Sequence, residues 1–153
     1  MITCYIMSAL TFLLVITAFF QSFWKFSVFQ ANHVTFMIFT SIVYLFTETL
    51  VIFFFVGTGM GIKESVLERR LDPQFHRRSI AIKRKVFPPL VSNILLMVVL
   101  FVLVGAVDTH HFPAWAYHMI FLGGLLHLVK SKLIQNQSFG EIIQLVHDMS
   151  GGQ

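Results

Sequence analysis

The chain has 153 residues, of which 56% are hydrophobic and only 12% charged, with a mean hydropathy of +0.78. A soluble domain of this size lacks the polar surface to cover so much apolar side chain, so the composition excludes an ordinary soluble fold and points to an all-α integral membrane protein. The net charge of +4 would suggest nucleic acid in a soluble protein. Here the basic residues gather beside apolar runs, so anionic lipid or an acidic membrane partner is the expected counterpart, with no nucleic acid. The single cysteine, Cys4, excludes an internal disulfide and any multi-cysteine metal cluster.

Four spans are predicted. The first, about 3–23, carries no charge and lacks the basic start of a signal peptide, so it reads as a retained helix. The second, about 33–62, is longer than one bilayer crossing needs and is expected to tilt or protrude. The third, about 86–107, opens with Pro88 and Pro89, which fit a first helical turn because the missing N–H has no partner there anyway. The fourth, about 113–130, is expected to be capped by Asp108 or Thr109. Residues 133–153 then read as a tail carrying a short C-terminal amphipathic helix, started by a Ser138–Glu141 capping box. Its stripe of Phe139, Ile142, Ile143, Val146 and Met149 is expected to lie on the membrane or on a partner.

Eight of the 11 Lys and Arg residues lie between spans two and three: Lys63, Arg69, Arg70, Arg77, Arg78, Lys83, Arg84 and Lys85. Lys130 and Lys132 follow span four, and Lys25 alone lies on the opposite side. The positive-inside rule then expects a four-helix bundle with both termini cytoplasmic, as in a bacterial inner membrane. The basic 63–85 connection is either the orienting charge alone or a docking surface for anionic lipid or a partner.

Span two bears one polar stripe. At 100° per residue Thr40, Tyr44, Thr47 and Thr58 fall within about 40° of His33 and Glu48 within about 60°, so these groups must face protein, because hydrocarbon offers them no hydrogen bonds. Counted inward from the cytoplasmic ends, Glu48 and His118 come to similar depth, which suggests a Glu48–His118 pair; a neutral, protonated Glu48 beside Tyr44 is the alternative. His127 and Asn93 also match in depth and read as an interhelical hydrogen bond.

At the other end, His33, Asp108, His110, His111 and His118 gather near the outer face. Two histidines on different helices can hold haem b iron axially, and imidazoles with a carboxylate can hold a transition metal. His33 and His118 are the leading candidates, with His110 and His111 behind them; the corresponding metal set is His33, His118 and Glu48. The 18 Phe residues would line a haem cavity, and equally any bundle interior, so a chain without cofactor fits the same residues. The glycines of "VGTGMGI" (56–62) lack the register and lysine of a phosphate loop and read as sites of close helix approach. No catalytic arrangement stands out.

The expected function is therefore a small, non-catalytic membrane subunit of an electron-transfer or respiratory-type complex. Two alternatives stand beside it: a proton- or ion-conducting or small transport module centred on Glu48, and an assembly subunit without chemistry. Other membrane subunits or further copies of the chain are the expected partners.

Overall fold

The computed structural model describes residues 2–28 and 30–151. It is all-α, with helices α1 (Ile2–Trp24), α2 (His33–Glu68), α3 (Gln74–Asp108) and α4 (Ala114–Gly151). The first three are long and apolar enough to cross a membrane. In α4 the apolar run is broken by His118, His127 and Lys130. Short connections make neighbouring helices antiparallel; α3 packs on both α2 and α4, and α1 packs on α2 and more lightly on α4.

Local chemistry sets the helix ends. Asn32 caps α2, its side chain accepting from the Thr35 N–H at 2.9 Å. The N–H of Arg69 closes the other end on the Ser65 carbonyl, and Arg70 follows in the left-handed region at φ 52°. The helix thus stops a few residues before Asp72 and Pro73. Asp72 instead opens α3 by accepting from the Gln74 N–H at 2.8 Å. Thr109 does not cap α4: its hydroxyl donates back to the Gly105 carbonyl at 3.0 Å and so finishes α3. The first N–H groups of α4 turn back onto the Pro113 carbonyl.

Two expectations about helix extent are corrected. Helix α3 begins at Gln74, so Pro88 and Pro89 lie inside it, where each removes a main-chain hydrogen bond. Helix α4 runs unbroken through Lys132 to Gly151. There is accordingly no separate C-terminal amphipathic helix and no capping box, because Ser138 is a buried residue in mid-helix. Of its predicted stripe, Phe139, Ile142 and Met149 are buried against α2 and α3, together with Leu145. Ile143 and Val146 are exposed.

At 1.5 Å per residue α1 is about 34 Å long and the other three helices about 52–57 Å. Cys4, in the first turn of α1, packs in one cluster with Val51 and Phe55, and the Tyr5 hydroxyl donates to Asn136 at 2.9 Å. Beyond that level α2, α3 and α4 continue without α1 as a three-helix extension around Ile62, Val66, Ile82, Val86, Ile142 and Leu145. Most of the basic residues lie on this extension.

The packing seam repeats every 3.5 residues. In α4 the buried positions include Tyr117, Phe121, Gly124, Leu128, Ser131, Gln135, Ser138, Ile142, Leu145 and Met149, and in α3 Ile82, Val86, Leu90, Asn93, Met97, Leu100 and Val104. Alternating steps of three and four are the signature of knobs-into-holes packing between nearly antiparallel helices. The opposite faces carry Phe46, Phe53, Leu95, Val102, Leu126 and Leu133, all exposed. So large an apolar exterior is rare on a soluble monomer.

Candidate functional site

Polar side chains collect at two levels of the bundle. At the end of the bundle that the sequence reading assigns to the outer face, a cavity of about 590 Å³ opens between the α1–α2 connection and the starts of α2 and α4. Its walls include His33, Asp108, His110, Tyr117 and His118, with Lys25, Gln30 and Asn32 at the rim. Backbone geometry shapes that rim: Lys25, Gln30 and His110 all adopt positive φ, at 48°, 62° and 58°. Sequence reasoning thus brought together four of its five outer residues. His111 is the exception; its Nδ1 sits 3.1 Å from the Thr109 hydroxyl and outside the cavity lining.

The two leading imidazoles are engaged by protein. His33 Nε2 lies 3.1 Å from the Tyr117 hydroxyl, while its Nδ1 is buried and has no partner among the described residues. His118 Nε2 lies 3.2 Å from the Ser22 carbonyl, and its ring stacks on Phe23 at 4.1 Å between centroids. To take an iron through Nε2 either ring would have to turn away from its partner, whereas His33 Nδ1 carries none. Among the described residues no three His, Cys, Asp or Glu side chains are grouped closely enough to hold a metal ion.

The second level is deeper and tighter. Glu48 is completely buried. One of its oxygens accepts from the Lys132 ammonium at 2.7 Å and the other from the Gln135 amide at 2.9 Å. Lys132 also donates to the Ser8 hydroxyl at 2.9 Å and to the Gln135 side-chain oxygen at 3.1 Å. All three ammonium protons therefore have acceptors, and three helices meet at one neutral ion pair. Nearby, the Thr11 and Thr47 hydroxyls lie 2.7 Å apart and join α1 to α2.

This arrangement replaces the expected Glu48–His118 pair. Glu48 lies 15 residues along α2 from His33, about 22 Å, so the metal set His33, His118 and Glu48 is not assembled. The depth estimate failed because it ended the fourth helix near Lys130 and left Lys132 in water. The missed signal was the 3.5-residue seam, in which Ser131, Gln135 and Ser138 continue the register of Phe121, Gly124 and Leu128. The middle of the polar stripe of α2 did point inward, with Thr40, Tyr44, Thr47 and Glu48 all buried, whereas His33 and Thr58 at its ends are half-buried. The expected His127–Asn93 contact is also present, with His127 Nδ1 at 2.5 Å from Asn93 Oδ1.

Chemically, the outer cavity offers imidazoles, a carboxylate, an ammonium and amides around a space of ligand size. The inner site offers two opposed charges that are already satisfied. Comparison with protein-family models, curated proteins and solved structures returns no match to this chain, so its chemistry rests on its own geometry.

Proposed function

We propose that the chain is a four-span membrane protein with both termini and the α2–α4 extension in the cytoplasm, and that it serves as a non-catalytic subunit of an electron-transfer assembly. In this reading the outer cavity holds haem b, ahead of a transition-metal ion, through His33 and His118. The observation that carries it is the convergence of His33, Asp108, His110 and His118, drawn from three helix ends, on one cavity, together with the unpartnered ring nitrogen of His33. Haem is placed ahead of a metal because two axial imidazoles suffice for it, whereas a bare ion needs more ligands than are grouped here. The eight basic residues from Lys63 to Lys85, at the end of α2, in the α2–α3 connection and at the start of α3, support the orientation. The test is the absorption spectrum and metal content of the protein purified from its native membrane. A Soret band lost in both H33A and H118A is expected. Absence of both a chromophore and a stoichiometric metal would overturn the reading.

A second reading, a proton- or ion-conducting module, is favoured by one observation: the fully buried Glu48 carboxylate is paired with the half-buried Lys132 ammonium. It requires that E48Q abolish flux into liposomes; unchanged flux removes it. If both readings fail, an assembly subunit remains, in which changes at these residues alter stability and nothing else.

A further inference from the structure

Where α2 and α3 pass the end of α1, their outer surfaces form a shallow groove of about 640 Å³, lined by Val56 of α2 and by Ile80, Lys83, Arg84, Phe87 and Val91 of α3. One end of it is cationic. Arg78 and Lys85 are paired with Asp148 and Glu141 across the α3–α4 contact, so that flank of α3 is neutralised. Lys83 and Arg84, on the flank toward α2, have no carboxylate partner among the described residues. The ammonium end of Lys83 lies against Gly59, where the Cβ of any other residue would push it aside.

The other end is apolar. The half-buried Phe87 leads at steps of three or four residues into Val91, Leu95, Val98 and Val102, which are all exposed. From Phe87 to Val102 this stripe runs about 22 Å, more than the roughly 15 Å depth of one leaflet's hydrocarbon. The charged and apolar parts meet level with Phe55, which packs in one cluster with Cys4 at the end of α1. If α1 spans the bilayer, that is the plane of the headgroups.

We propose that this groove binds one anionic phospholipid of the cytoplasmic leaflet, its phosphate between Lys83 and Arg84 and an acyl chain along Phe87 to Val102. The proposal rests on the four-span reading above. Two cations without carboxylate partners over an apolar stripe match a lipid, since a soluble anion would gain nothing from Phe87 and Val91 and a zwitterionic lipid would bring its own cation to the site.

The test uses the full chain purified in detergent and mixed with phosphatidylglycerol and phosphatidylcholine, with bound lipid counted by native mass spectrometry. Phosphatidylglycerol should be retained selectively, and K83Q/R84Q should lower its retention roughly 30-fold, the effect of removing two near-surface cations. K63Q/R70Q, with the same loss of charge elsewhere, should leave retention unchanged. G59A alters no charge but displaces Lys83, so it should also weaken binding, and it keeps the test alive if K83Q/R84Q does not fold. Equal retention of the two lipids, equal loss in the two double variants, or displacement by excess inorganic phosphate would each overturn the assignment. Sidedness is measured separately by labelling Q144C in a C4S background in intact cells; labelling from outside would sink the orientation while leaving the detergent result interpretable.

Discussion

Glu48 and Lys132, 84 positions apart in the chain, close a 2.7 Å ion pair between α2 and α4. Gln135 and Ser8 use the hydrogen-bonding capacity that remains. A buried pair of this kind contributes little net stability compared with apolar residues of the same shape, but losing one partner leaves a charge stranded. Its structural effect is to fix which turn of α4 faces which turn of α2.

Single replacements at this pair should therefore be far worse than a double one. E48L or K132M alone is expected to destabilise by about 3–5 kcal/mol, whereas E48L/K132M should lie within about 1 kcal/mol of the parent chain. Equilibrium unfolding in mixed micelles measures this; additive losses in the double variant would show that the two charges do not act as a unit.

The Thr11–Thr47 contact gives a milder expectation. Each hydroxyl also lies within 2.8 Å of a carbonyl in its own helix, that of Met7 or Val43, so the interhelical share is small. A double-mutant cycle of T11V and T47V should return a coupling of about 0.6 kcal/mol, typical of interhelical bonds in membranes. Zero coupling would mean that each hydroxyl serves only its own helix.

Helix α4 past Lys132 offers a contrast between two apolar residues seven positions apart. Phe139 is 2% exposed and stacks on Phe55 with centroids 5.1 Å apart; Val146 is 45% exposed. F139A should cost about 3–5 kcal/mol, and V146A no more than about 0.5 kcal/mol. Comparable losses at both positions would instead favour a stripe lying on the membrane surface.

Docking of the first turn of α1 can be followed at Cys4, which is 6% exposed. Maleimide should label this thiol slowly in the native protein and rapidly after denaturation. Fast native labelling would place the start of α1 away from α2.

Much of the secondary structure was legible in the residues. Uncharged apolar runs located the four helices, though not the start of α3 or the end of α4. Thr40, Tyr44, Thr47 and Glu48 pointed inward as expected, because polar groups have nowhere else to go in hydrocarbon. Depth counting also found His127–Asn93, a contact between neighbouring antiparallel helices α3 and α4.

The sequence by itself determined an all-α chain with apolar helices, a basic flank and a polar stripe along α2. Only the tertiary structure decided that Glu48 meets Lys132 rather than His118, that α4 continues as one rod, and that the outer imidazoles rest on Tyr117 and Ser22. In a chain this apolar the exterior is as hydrophobic as the interior, so hydrophobic contrast does not show which face is inside. That information lies in the 3.5-residue spacing of small and polar seam residues, and it acquires meaning only when a partner helix stands opposite.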